Sequence, residues 1–275
     1  HAQGWPYFTE HLVLATPDNG VATAIYAVCK ATVKVGDGKE ITLHEETNYP
    51  FEEAIAFTVS TGEKVAFPFY LRIPSWTQKA EVRVNGKKVS AAPVAGKYLC
   101  INREWANGDR VELTLPMSLS MRTWQVNKNS VSVDYGPLTL SLKIAEKYVE
   151  KDSRETAIGD SKWQKGADSK KWPTTEIYPD SPWNYSLVLD KKEPLKNFKV
   201  IRKSWPADNY PFTATSVPLE VKAIGRPVPE WKIDETGLCG VLPEEDAVKG
   251  DKEEITLIPM GAARLRISAF PNTKE

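Results

Sequence analysis

The stretch Glu81-Val82-Arg83-Val84-Asn85-Gly86 carries the reading of the fold. Val82 and Val84 alternate with Glu81 and Arg83, the period-two pattern of a strand with one face buried. Asn85-Gly86 follows directly, and both residue types accept the positive φ that a type I′ hairpin turn needs. The same pattern extends in both directions. Upstream, Val33 and Val35 alternate with Lys34, Gly36-Asp37-Gly38 turns, and Ile41 and Leu43 alternate with Thr42. Val21–Tyr26, Ala54–Ser60 and Val65–Ile73 read as further strands. Downstream come Tyr98–Ile101, a turn at Asn107-Gly108-Asp109, and Val111, Leu113 and Leu115 in alternation. Short strands with regular turn signals predict a β-sandwich.

A second block begins near Ser130. Val131 and Val133 alternate, Gly136-Pro137 interrupts, and Leu138, Leu140 and Leu142 follow. Strands are expected again at Tyr185–Leu189, Phe198–Ile201, Leu219–Ala223, Ile255–Ile258 and Leu265–Phe270. Residues Gly4–Leu14 differ: Phe8, Leu12 and Val13 fit one face of a short helix with Pro6 near its start. The expected fold is mainly β, two consecutive antiparallel β-sandwich domains after a short N-terminal helical remnant. The segments are 1–16 (short helix and linker), 17–127 (first sandwich) and 128–275 (second sandwich).

Composition excludes several classes of function. Lys plus Arg and Asp plus Glu each number 36, so the balanced charge supplies no attraction to nucleic acid or to an anionic membrane. No apolar run approaches the ~18 residues of a membrane span. The start at His1 reads as a trimmed or cut end, with any targeting signal upstream. Twenty prolines, nine tryptophans and ten tyrosines suit sheets joined by elaborate loops.

The candidate chemistry is sparse. Cys29 and Cys100 lie in predicted strands among apolar neighbours and read as small buried core residues, as does Cys239. The histidines His1, His11 and His44 make no ligand spacing with a cysteine, so no metal site is expected. Glu45-Glu46, Glu52-Glu53, Glu244-Glu245-Asp246 and Glu253-Glu254 read as solvated surface charges. Adjacent residues of a strand point to opposite faces and cannot form a convergent acid pair. Gly36-Asp37-Gly38 is a hairpin turn rather than a nucleotide fingerprint. Residues 146–184 are polar and Lys-rich, a long loop that carries Trp163, Trp172 and Trp183. Aromatics are hard to explain there by local packing, and each could stack on the C–H face of a sugar or be buried by the loop folding back. Trp76 and Trp105 are expected to pack in the core or at a domain interface.

Ordered segments along the chain resemble one family. They include Gln3-Gly4-Trp5-Pro6, Ala15-Thr16-Pro17-Asp18-Asn19-Gly20, Glu46-Thr47-Asn48-Tyr49-Pro50-Phe51 and Leu71-Arg72-Ile73-Pro74-Ser75-Trp76. Val84-Asn85-Gly86, Arg103-Glu104-Trp105, Gly108-Asp109, Leu115-Pro116-Met117, Asp134-Tyr135-Gly136-Pro137-Leu138 and Leu265-Arg266-Ile267-Ser268-Ala269-Phe270-Pro271 complete the series. Each motif is weak alone, but together, in this order, they are similar to glycoside hydrolase family 127, the β-L-arabinofuranosidase-like proteins. The resemblance implies an N-terminal (α/α)6 barrel followed by β-sandwich domains. The barrel of that family carries a zinc site of cysteines and a glutamate, a cysteine nucleophile and a glutamate acid/base. In relatives a Cys-Cys-x-x-Asn motif lies just before the Gly-Trp-Pro segment. This sequence has no Cys-Cys pair, so no nucleophile or zinc ligand is carried over; the zinc site is expected upstream.

Three functions follow as expectations. The first is a non-catalytic β-sandwich part of a glycoside hydrolase acting on arabinose-containing or related plant glycans. It would brace a catalytic barrel of the same or parent protein, help shape its cleft, and be inactive alone. The second is an autonomous carbohydrate-binding module using Trp163, Trp172 and Trp183. The third is a purely structural adhesion-type sandwich. No cofactor is expected in this chain, an oligosaccharide is a possible partner, and a secreted or periplasmic location fits polysaccharide use.

Overall fold

The computed structural model describes residues 4–151, 168, 170–243 and 250–275. Strands account for 47% of the described residues and helix for 5%, so the fold is mainly β. The chain divides into two compact units, residues 1–118 with 135–137, and residues 119–134 with 138–275.

The first unit opens with helix α1 (Gly4–Glu10) and continues with β1 (Val13–Ala15), β2 (Val21–Thr23), β3 (Cys29–Val35), β4 (Lys39–Thr47), β5 (Ala54–Thr61), β6 (Val65–Arg72), β7 (Glu81–Val84), β8 (Lys87–Lys88), β9 (Tyr98–Trp105) and β10 (Arg110–Thr114). Two sheets result, in the orders β1-β2-β6-β9 and β3-β4-β5-β10-β7-β8. All their pairings are antiparallel except β2 with β6. The turn between β7 and β8 is the expected one, with Asn85 at φ 50° and Gly86 at φ 76°.

Alternation directs one residue in two from each sheet into a shared core. Val21, Phe67, Phe69, Leu71 and Trp105 come from the first sheet; Ile41, Leu43, Ile55, Phe57, Val82, Val111 and Leu113 come from the second. Phe57 meets Phe69 edge-on at 5.4 Å between ring centres. Trp105 is fully buried beside Phe67, and its indole N–H donates to the Phe67 carbonyl at 3.0 Å, so the core holds the ring without orphaning its polar atom. Trp76 is partly buried against the same core.

The second unit contains β11 (Leu119–Trp124), β12 (Ser130–Tyr135), β13 (Leu138–Leu142), β14 (Glu146–Lys151), β15 (Thr174–Pro179), β16 (Tyr185–Leu189), β17 (Lys199–Arg202), β18 (Leu219–Pro227), β19 (Glu253–Pro259) and β20 (Asn272–Lys274). Its main sheet runs β11-β12-β13-β19-β18-β16-β20, with β17 also paired to β18, and β16–β20 is a parallel pair. All five residues of β16 are buried, so both faces of that strand are covered. On β12, Asp134 accepts Arg122 through both carboxylate oxygens, at 2.6 and 2.9 Å, and the Thr139 hydroxyl at 2.7 Å. This pairing accounts for the charge at Asp134 inside a strand that is buried throughout.

Two expectations need correction. The polar stretch 146–184 is not loop throughout: β14 and β15 pair antiparallel over six residues each, from Glu146↔Pro179 to Lys151↔Thr174. Their sequence hides the pairing because both strands are polar on both faces. Leu265–Phe270 is not a strand. Only Phe270 makes a bridge, to Val131, and Ile267 is anchored by its N–H to the Ser141 hydroxyl at 3.0 Å. Ile267 and Phe270 nevertheless enter the core, which is the burial their apolar spacing signals.

Candidate functional site

Among the tryptophans expected to meet sugar, Trp183 has a defined setting. It is half-buried against the core of the second unit, and Trp231 meets it edge-on at 5.2 Å. Trp231 is buried and fixed by its own indole N–H to the Gly240 carbonyl at 2.9 Å. The Asn184 amide further ties this corner to the carbonyls of Val228 and Trp231. Trp183 therefore sits on a rigid support. It lines an open cavity of about 510 Å³ with Tyr178, Glu176, Leu238, Arg264 and Arg266. Leu238 belongs to a loop closed by Asp234, whose carboxylate accepts the N–H groups of Thr236 and Leu238. Those hydrogen bonds, the Thr236 hydroxyl first, hold the Asp234 carboxyl below the usual range.

Trp172 is 69% exposed and is not among the residues lining that cavity. Trp163 lies outside the described residues. The aromatic neighbours Tyr178 and Tyr148 carry no motif and were not anticipated. Tyr178 donates to Glu176 at 2.5 Å and Tyr148 to Glu146 at 2.5 Å, and each phenol is held above its ordinary pKa by that carboxylate.

In the first unit the two most exposed aromatics, Trp5 and Tyr7, are on α1. Trp5 and Tyr7 are each 67% exposed and Phe8 41%, and the helix buries no residue. A helix of this length has no stability of its own in water, because a single turn or two cannot repay nucleation.

Glu45 was grouped with the surface acids and is instead fully buried. It follows Ile41 and Leu43 on the inward face of β4, whereas Glu46 faces outward. Its Oε1 accepts the Ala27 N–H at 3.0 Å, and its Oε2 lies 3.8 Å from the Cys29 thiol. Burial pushes the carboxyl up to about 8, and burial together with Glu45 pushes the Cys29 thiol up to about 11. Burial thus favours the protonated form of both groups, and their contact ties the connection before β3 to β4. The cysteines also depart from expectation. Cys29 is half-buried, while Cys100 and Cys239 are exposed. Cys100 is on the outward phase of β9, between inward Leu99 and half-buried Ile101.

The outer face of the six-stranded sheet forms an open trough of about 710 Å³, floored by Ala54 and Ala56 and rimmed by His44, Glu46, Arg110 and Glu112. Arg110 pairs with Glu112 at 3.2 Å and approaches Glu46 at 3.8 Å, the pattern of a charge ladder on a solvated sheet. Among the described residues no group of three or more His, Cys, Asp or Glu could hold a metal ion. No helix among them is long and apolar enough to cross a membrane.

Comparison with known proteins gives the family context. Residues 20–117 match the family described as β-L-arabinofuranosidase, GH127 middle domain. Among solved structures, a GH127 β-L-arabinofuranosidase from Geobacillus stearothermophilus T6 matches 99% of this chain, with 21% identity and a TM-score of 0.65. A second GH127 β-arabinofuranosidase matches 94% with 22% identity and a TM-score of 0.60, and a further glycoside hydrolase matches 93% with 21% identity and 0.58. In each case this chain spans only 36% of the length of the structure it matches. No curated protein matches the chain. The resemblance to family 127 thus has two supports, a sequence match over the first sandwich and a fold match over nearly the whole chain.

Proposed function

We propose, from the match of residues 20–117 to the GH127 middle domain, that this chain is the non-catalytic β-sandwich part of a glycoside hydrolase acting on arabinose-containing or related plant glycans. Its task in this reading is to brace an (α/α)6 catalytic barrel of the same or parent protein and to help shape the cleft. The observation that carries the reading is α1. Its aromatics Trp5, Tyr7 and Phe8 are uncovered, Trp5 and Phe8 together on one face, on a chain that spans about a third of the similar structures. Covering large apolar side chains of this kind is worth roughly 1.5–3 kcal/mol each, enough for three of them to fix a domain interface. A secreted or periplasmic location suits such an enzyme.

The test is a fusion that places this chain after a GH127 barrel, in the order the family resemblance implies. Trp5→Ser with Phe8→Ser should lower the thermal midpoint of the barrel and leave that of the isolated 275-residue chain unchanged. An unchanged barrel midpoint would remove α1 as the bracing contact.

A second reading, carbohydrate binding by this chain itself, is favoured by one observation: Trp183 lines a cavity on a rigid aromatic support. The exposed Trp172 adds no comparable geometry.

A further inference from the structure

The cavity beside Trp183 has an asymmetry of charge that bears on what it binds. The carboxylates beside it, Glu176, Glu146 and Asp234, are already engaged, Asp234 by the loop it closes. Glu176 accepts the Tyr178 hydroxyl at 2.5 Å and lies 3.8 Å from the Lys151 ammonium. Glu146 accepts the Tyr148 hydroxyl through one oxygen and the Arg264 N–H through the other. The two arginines lining the cavity have no such engagement. The Arg264 guanidinium stacks over the Tyr148 ring at 5.9 Å, and the Arg266 guanidinium donates from Nε to the Ala263 carbonyl at 2.8 Å. Neither is paired with a carboxylate among the described residues, and both are exposed. The indole N–H of Trp183 likewise has no acceptor among them, whereas that of Trp231 is engaged.

A planar guanidinium is the side chain best matched to a carboxylate, through paired N–H donors. An aromatic wall suits the C–H face of a pyranose, and its size fits, since small-ligand sites commonly span roughly 300–1,000 Å³ and this one measures about 510 Å³. We infer that the cavity bounded by Trp183, Tyr178, Arg264 and Arg266 binds an acidic saccharide, a uronic acid residue of an oligosaccharide. Its carboxylate meets Arg264 and Arg266, its ring lies against Trp183 and Tyr178, and a hydroxyl accepts the Trp183 indole N–H. The supports are preorganised: Trp231 backs Trp183, and Asp234 fixes the loop bearing Leu238. The inference rests on the carbohydrate-binding reading and adds a charge preference to it.

Calorimetric titration of the 275-residue protein with trigalacturonic acid and, separately, with neutral arabinotriose tests it. The expected result is binding of trigalacturonate at least about tenfold tighter than arabinotriose, a gap of about 1.4 kcal/mol, which narrows as salt is raised. The double variant Arg264→Gln with Arg266→Gln should lose the preference. Both side chains are exposed, and an unchanged thermal midpoint verifies the fold. Equal binding of the two sugars overturns the acidic specificity and leaves a sugar site standing. Binding of neither overturns the site as well. A preference that survives the double variant places the acidic ligand elsewhere.

Discussion

Glu45 carries a measurable consequence of burying a carboxyl in a strand. Its pKa rises from 4.5 unfolded to about 8 folded, so the native state holds the proton more tightly. The stability this confers is complete below the unfolded pKa and is lost as pH climbs through 8, at up to about 1.4 kcal/mol per pH unit. Glu45→Gln keeps an acceptor for the Ala27 N–H and removes the titration. The variant is expected to match the parent near pH 5 and to melt several degrees higher near pH 9. Melting curves whose difference does not change with pH would contradict the assignment. The cysteines offer a second residue-scale test. Cys100 and Cys239 are exposed, while Cys29 is half-buried with its thiol pushed up to about 11. A thiol reagent near pH 8 should modify two groups quickly and Cys29 slowly, because the thiolate is the reacting form; three equal rates would count against the Glu45–Cys29 contact. Glu45 was legible in principle, since Ile41-Thr42-Leu43-His44-Glu45 keeps strict alternation. What concealed it is chemical type: a carboxylate is rarely buried, and residue preference outweighs phase unless the partner supplied by a distant loop, here Ala27, is known.

Elements with one covered face were read well, and those that break that condition were not. β5, β6 and β10 alternate as sandwich strands do, and the Asn85-Gly86 turn is set by local backbone preference alone. β14 and β15 do not show in the sequence because Lys, Glu and Thr fall on both faces of the ribbon and leave no apolar phase to reveal it. The segment 265–270 has the apolar residues of a strand, but it delivers Ile267 and Phe270 to the core from irregular backbone. The cavity at Trp183 was legible only through its tryptophan. Arg264 and Arg266 come from a segment about 80 residues away, and sequence spacing does not disclose that approach. Close strand approach gives a test at this scale. A Cβ on Gly20 would lie 2.3 Å from the Pro68 carbonyl oxygen, just where β2 joins β6. Gly20→Ala should therefore destabilise the first unit by about 1–3 kcal/mol, read from denaturant midpoints. A neutral result would mean that this strand pair yields more easily than its geometry implies.

At the scale of the whole molecule, two β units each have their own buried core, and among the described residues the chemistry-bearing side chains are dispersed. In the Trp183 corner Glu176 and Glu146 accept tyrosine hydroxyls and Asp234 accepts its own loop, the outer trough of the first sheet is a charge ladder, and Glu45 is sealed in the interior. This distribution suits support and recognition. Cutting a glycosidic bond requires a convergent acid pair, or a nucleophile with its acid/base partner. In the proposed role, the uncovered Trp5 and Phe8 of α1 would supply that support. The central proposal is therefore that the catalytic residues of the parent enzyme lie outside this chain. Its most direct test is the rate of aryl β-L-arabinofuranoside hydrolysis by the purified protein, with metal content determined and zinc supplied. The rate should equal that of the buffer. Turnover proportional to protein concentration, retained through further purification, would contradict the account.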